Sequence, residues 1–185
     1  MQSDATRWDE RHRHAAPPSP QAPEPLGDHA DLAASFPRSG TALDVACGAG
    51  GQALWLAERG LRVVAIDVSP VAIAALGAAA TDLGLSDRID ARTFDLDTGL
   101  PPDPQTVDVI VCRRFRDRTL YPLLAERLSR GGVGIVTVLS QVGTAAPGVH
   151  HAPAGELSVA FDRPELDVVH HEEGDGVATV VFRRR

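Results

Sequence analysis

The sequence predicts an α/β protein: a doubly wound, seven-stranded, mainly parallel sheet with an antiparallel hairpin at its C-terminal end. Three observations predict it. Short apolar runs alternate with helical segments along most of the chain. A glycine cluster, CGAGG at 47–51, follows directly on the first of these runs. The last two runs, LDVVHHEE and GVATVVFRRR, flank a Gly-Asp-Gly turn of tight-hairpin type.

Residues 1–26 read as an arm, a possible lid, set before a domain over 27–185. The stretch PPSPQAPEP at 17–25 holds too much proline for a helix or central strand and predicts extended chain. GDHADLAASF predicts a short lead-in helix. TALDVA is a near-continuous apolar strand, as a sheet covered on both faces requires. GGQALWLAERG predicts a helix on which Ala53, Leu56 and Ala57 share a face and which Gly60 stops. RVVAID is a second buried strand. In SPVAIAALGAAATDLGL, Ser69 is the N-cap and Pro70 the first helical residue. RIDARTFD and TVDVIVC are the third and fourth strands, and the DLDTGLPPDPQ between them is too short and proline-rich for a full crossover helix. DRTLYPLLAERLSR predicts a helix, and GGVGIVTVLS the fifth strand. After a loop rich in Gly, Pro and His, GELSVAF predicts a short helix. The hairpin supplies strands six and seven.

Hydrophobic residues make up 43% of the 185-residue chain, enough for the core of one domain. The net charge of -7 argues against duplex nucleic acid as a partner. No apolar run reaches the roughly 20 residues a bilayer span needs. The polar start, MQSDATRWDERHRH, predicts no signal peptide. The expectation is a cytoplasmic protein, monomeric or weakly dimeric, acting on a small molecule away from membranes. The chain contains no Lys, which excludes Schiff-base lysine chemistry and a P-loop lysine. Its two cysteines, Cys47 and Cys112, imply neither a disulfide framework nor a metal site.

In a doubly wound sheet the ligand lies beyond the carboxyl ends of the strands, where strand order reverses. The glycine cluster falls there. Gly48 and Gly50 let backbone approach a ligand where a Cβ would clash. The helix that follows offers free N–H groups and a positive dipole end. Asp67, ending the second strand, is placed to accept from both hydroxyls of a ribose. GAGGQA fits the dinucleotide pattern G-x-G-x-x-A, with Asp67 near the expected spacing, so a nicotinamide-dependent oxidoreductase is one reading. Three features favour a different ligand. Asp44 precedes the glycines, where a carboxylate repels a pyrophosphate and attracts a cation. Phe94 and Asp95 end the third strand, placed to bracket an adenine and accept from its amine. The ring of Asp44, Asp67 and Asp95 suits a ligand with a sulfonium and an ammonium. The plainer alternative is a tight turn at the glycines and helix-capping acids, and it weighs most for Asp95.

The stretch ALDVACGAGGQALWLAERGLRVVAIDVSPVAIAAL closely resembles the cofactor half of class I S-adenosylmethionine-dependent methyltransferases. The resemblance runs from about residue 40 to 140 and weakens beyond. WDERH near the start, with the proline-rich stretch after it, resembles the opening of small bacterial methyltransferases of the tellurite-resistance and thiopurine type. RFRDRTLYPLLAERLSRGGVGIVTVLS is similar to that group too. The departures are Cys47, where relatives carry varied small residues, and a shorter tail. The resemblance implies that Asp44 and the Gly48–Gly50 backbone hold the methionine part of S-adenosylmethionine, Asp67 the ribose, and Phe94–Asp95 the adenine. Ala46, Cys47, Val68, Leu96 and Cys112 flank these positions and complete the expected cofactor set. It also implies an N-terminal segment that folds over the cofactor.

Methyl transfer from a sulfonium needs alignment and water exclusion, no metal, and a base only when the nucleophile arrives protonated. The acceptor side is therefore less marked: sulfur, selenium or tellurium, oxygen and nitrogen all stay open. Arg113, Arg114 and Arg116 follow the fourth strand and are candidates for an anionic substrate; otherwise they pair with Asp117 and Glu126. His150 and His151 are candidate general bases or exposed loop residues. Arg113 joins them as a candidate catalytic group. Trp8, Arg11, His12 and His14 lie on the arm, with Trp8 and His12 the candidate lid contacts. His170 and His171 read as sheet surface, Trp55 and Tyr121 as packing. A non-catalytic module that binds S-adenosylmethionine is the third reading.

Overall fold

The computed structural model of the chain describes residues 2–23 and 30–185. A seven-stranded sheet runs in the order β3-β2-β1-β4-β5-β7-β6. β1 (Thr41–Val45), β2 (Arg62–Asp67), β3 (Ile89–Thr93), β4 (Val107–Arg113) and β5 (Leu128–Leu139) are parallel neighbours. β7 (Val177–Arg184) runs antiparallel to β5 and to β6 (Leu166–Gly174). This is the fold class read from the sequence. Strand order reverses between β1 and β4, so the crevice opens at their C-terminal ends.

Alternation along the strands sorts the apolar side chains to two faces. On β1, Ala42 packs in one cluster with Val63, Ala65, Val109 and Val111; Leu43 and Val45 pack in the other with Ile110, Phe161 and Phe182. The first face is covered by α3 (Gly51–Glu58) and α4 (Pro70–Asp82), the second by α5 (Leu120–Arg127) and α6 (Glu156–Phe161). Ser69 caps α4 as its sequence suggests: its hydroxyl accepts from the Ala72 N–H at 3.1 Å, and Pro70 opens the helix. At the hairpin turn Asp175 and Gly176 take φ of 50° and 79°, the positive values such a turn requires.

Several boundaries differ from the sequence reading: β3 ends at Thr93 rather than Asp95, and α5 begins at Leu120 rather than Asp117. The helix expected through Arg130 ends at Arg127, and Leu128 to Arg130 open β5 instead. Leu128 is buried and pairs with Val107, so the sheet claims it from the helix. The arm, for whose first residues the sequence reading named no element, begins with a helix, α1 (Gln2–Arg13), which packs on α4. Tertiary contact with α4 supports it where its weakly apolar sequence does not. Residues 16–23 form neither helix nor strand, while Glu24 and Pro25 lie outside the described residues. The lead-in helix is α2 (Ala30–Ser35); the first three residues of GDHADLAASF lie outside the described residues.

Candidate active site

The loop that leaves β1 turns sharply, with Ala46, Gly48 and Gly50 at φ of 52°, 54° and 85°. At Gly50 glycine is required twice over: φ is positive, and a Cβ would collide with the Leu76 side chain of α4. At Gly48 the equivalent space opens toward the arm, where a Cβ would stand 3.4 Å from Cε1 of His12. The loop is tied to β2 through Asp67. One Asp67 oxygen accepts from the Gly48 N–H at 2.8 Å, and the other from the Ser69 N–H at 2.9 Å. The acid that ends β2 thus fixes the glycine loop and the entry to α4 together.

Asp44 stands in β1, on the face that α3 and α4 cover. It is 1% exposed, and its Oδ2 has no hydrogen-bond partner within the chain. Burial lifts its pKa to about 8, and the nearby Asp67 charge adds to the rise, against a backbone hydrogen bond from Ala53. A buried carboxyl with an unmet acceptor is costly unless something supplies a donor. Cys47 is buried beside both acids, and burial with their charges raises its thiol pKa well above the ordinary value. Burial lifts the Cys112 thiol to about 12. Neither thiol is poised as a nucleophile.

Phe94 extends the β2–β3 pairing by one residue, its N–H donating to the Asp67 carbonyl at 2.8 Å. Asp95 follows, and its side chain accepts from the Asp97 N–H at 3.0 Å to start a short 3-10 turn. Phe94, Asp95 and Val68 are half-buried and Leu96 is buried. Asp44, Ala46, Cys47, Gly48, Gly50, Asp67, Val68, Phe94, Asp95, Leu96 and Cys112 therefore lie along one sheet edge, at the ends of β1 to β4 or just past them.

The arginines after β4 do not act as one cluster. Arg114 is exposed at φ 57°, its N–H donating to the Thr137 carbonyl; Arg113 is half-buried at the end of β4. Arg116 is engaged by Glu156 of α6, with Nε and Nη2 at 2.8 and 2.6 Å from its two oxygens. Its partner is thus neither Asp117 nor Glu126, because the fold brings α6 across the β4–α5 loop. Tyr121, expected only to pack, also donates its hydroxyl to Glu156 at 2.9 Å. The Arg116 guanidinium, then the Tyr121 hydroxyl, hold the Glu156 carboxyl below its usual range although its side chain is 8% exposed. Glu156 is the residue that sequence reading missed; its place as the first residue of a helix was the available signal.

His150 is exposed, and half-buried His151 accepts the Gly148 N–H at Nδ1, which leaves the neutral ring's proton on Nε2. The base of their loop is pinned by Glu173, which accepts from the Ser140 hydroxyl at 2.6 Å and the Gly155 N–H at 2.8 Å. His171 pairs with the Ser158 hydroxyl, and His170 faces Glu172 on the sheet surface. Trp55 meets Phe36 edge-on as a packing residue. Among the described residues no group of three or more His, Cys, Asp or Glu side chains is arranged to hold a metal. No helix among them is long and apolar enough to cross a membrane.

This fold sets a glycine turn and two buried acids, Asp44 and Asp67, at its switch point. Residues 42–131 match the family model described as a methyltransferase domain. Over that stretch, just under half of its length, the chain is similar to methyltransferase domains. Solved structures agree on the fold. TehB from Haemophilus influenzae superposes with a TM-score of 0.71 at 20% identity, over 86% of this chain and 62% of that one. An S-adenosylmethionine-dependent methyltransferase from Mesorhizobium loti gives 0.68 at 20% identity, over 87% and 99%. The [4+2]-cyclase SpnF gives 0.69 at 19% identity, over 83% and 78%. This chain thus spans under two thirds of the TehB chain. Comparison with curated proteins found no match. The residues present fit S-adenosylmethionine. Asp44 Oδ2 offers a buried, unmet acceptor to a cationic ligand, and Gly48 leaves a cradle open that a Cβ would narrow.

Proposed function

We propose that the protein transfers a methyl group from S-adenosylmethionine to a small-molecule nucleophile, through sulfur, selenium or tellurium, oxygen or nitrogen. One observation carries this reading: a buried, unpartnered carboxyl oxygen on Asp44 beside a glycine loop that Asp67 fixes. Such a site suits a cationic ligand, which favours the ionised form of Asp44, and offers no counter-charge to the pyrophosphate of a nicotinamide dinucleotide, which disfavours the oxidoreductase reading. When bound, the cofactor supplies a methyl group already activated on a sulfonium. The chain's residues then have to bind, orient and exclude water. Asp44 and the Gly48–Gly50 backbone hold the methionine part, Asp67 the ribose, and Phe94 with Asp95 the adenine. Ala46, Cys47, Val68, Leu96 and Cys112 shape the walls around them.

The acceptor side is bounded by the loop after β4, the start of α5 and α6, and the 141–154 loop. Arg113, at the end of β4, and Arg114, just past it, are the groups proposed for anion recognition, and Arg116 is neutralised by Glu156. His150 is the loop imidazole open to serve as a base, with His151 beside it. The arm, with Trp8 and His12, is the lid. The acidic balance favours a monomer or weak dimer without a nucleic-acid partner, and the cytoplasm is the expected site of action.

The test is methyl transfer from radiolabelled S-adenosylmethionine across a panel of thiols, chalcogen oxyanions, phenols and amines. Label transfer to one class, lost in Asp67→Ala, is the expected result. Tight S-adenosylhomocysteine binding without transfer to any class would favour the non-catalytic module.

A further inference from the structure

The floor of the proposed cofactor site, from the glycine loop to α4, is acidic. Residues 41–58 and 63–87, which include the glycine loop, α3 and α4, contain no Lys, Arg or His. Asp44 and Asp67 answer the cationic groups of the proposed ligand. They repel the carboxylate at the same amino-acid end. The arm brings the opposite chemistry over the loop. His12 presents Cε1 and Nε2 at 3.4 and 3.9 Å from the point where a Cβ on Gly48 would stand. Trp8 stacks on His12 with ring centroids 6.1 Å apart, and the Arg11 guanidinium lies 5.3 Å from the Trp8 ring.

This placement is held from both ends. Asp9 accepts from the Ser69 hydroxyl at 2.5 Å, while that hydroxyl accepts from Ala72 as the α4 cap. Asp9 and His12 stand three residues apart and so share a face of α1: one grips α4, the other meets Gly48. Further along the arm, the Gln21 N–H donates to the Gly51 carbonyl at 2.9 Å.

We propose that His12 takes the α-carboxylate of S-adenosylmethionine, and that Asp9 is a positioning residue that keeps His12 over Gly48 through Ser69. The inference rests on the cofactor reading above. It makes the arm part of the binding site, so ligand and arm order one another reciprocally.

The test is calorimetric titration of the full chain with S-adenosylhomocysteine and with its decarboxylated analogue, which keeps the ammonium and loses only the carboxylate. Wild type should prefer the carboxylate-bearing ligand by roughly 10–100-fold, the range of one charge-assisted hydrogen bond. His12→Ala should abolish that preference by weakening S-adenosylhomocysteine alone, and His12→Gln, which keeps an N–H donor, should restore part of it. Asp9→Ala should act in the same direction without touching ligand. Trypsin gives a second readout, since the arm's sites are Arg7, Arg11 and Arg13. S-adenosylhomocysteine should slow their cleavage in wild type and not in Asp9→Ala. Equal weakening of both ligands by His12→Ala, an unchanged preference, or no protection in wild type would overturn the inference. Binding of neither ligand to wild type would remove the cofactor reading itself, and this inference with it.

Discussion

The two halves of the sheet edge are built differently. On the proposed cofactor side, β1, β2 and their following turns place Asp44, Gly48, Gly50, Asp67 and Ser69 within 26 residues of sequence. Each contact there follows from a strand end meeting a helix start. On the proposed acceptor side the defining contacts span far more chain. Arg116 meets Glu156 across 40 residues, and Ser140 meets Glu173 across 33. The proposed cofactor side is a local device; the proposed acceptor side is assembled by tertiary structure. Contacts of the first kind are legible in sequence and those of the second are not.

The comparison can be broken by substitutions graded by expected effect. Gly50→Ala strikes the backbone of the local device, at a positive φ and against Leu76. It should cost about 2–4 kcal/mol of stability in urea unfolding, by strain and overpacking. Asp67→Ala releases the Gly48 and Ser69 N–H groups and the proposed ribose contacts. S-adenosylhomocysteine affinity should fall by roughly 10–100-fold in titration calorimetry.

Glu156→Gln tests the other half. It leaves Arg116 without its counter-charge in a partly buried place and should cost about 1–3 kcal/mol. Cofactor affinity should stay unchanged while turnover falls, which separates the two sides. An equal loss of cofactor affinity would show that the halves are not independent.

Asp44 sharpens the comparison through pH. Its pKa is raised from 3.8 to about 8, chiefly by burial, so the folded chain retains a proton there that the unfolded chain has lost. Asp44 therefore contributes stability that is fully present below about pH 4 and is lost as pH rises toward 8. Asp44→Asn should flatten this part of the melting profile. A cationic ligand draws the proton off, so binding of S-adenosylmethionine near pH 7 should release close to one proton. Titration in buffers of different ionisation enthalpy should detect that release in wild type and not in Asp44→Asn.

Most of the fold was legible because parallel strands buried on both faces announce themselves as apolar runs, and Ser69-Pro70 and Gly60 mark helix ends. The Arg127–Leu128 boundary was not, since helix and strand share an uninterrupted pattern there and only pairing with Val107 decides it. Helix α1 was hidden because its support comes from α4, and Asp9 reaches Ser69 across 60 residues. Glu156 has an ordinary sequence context, and its role exists only once α6 is laid against the loop after β4.

The most direct measurement is calorimetric titration of wild type and Asp67→Ala with S-adenosylhomocysteine and, separately, NADH. The account predicts micromolar binding of S-adenosylhomocysteine alone, weakened in the variant. Binding of NADH alone would contradict it and return the glycine loop to the dinucleotide reading.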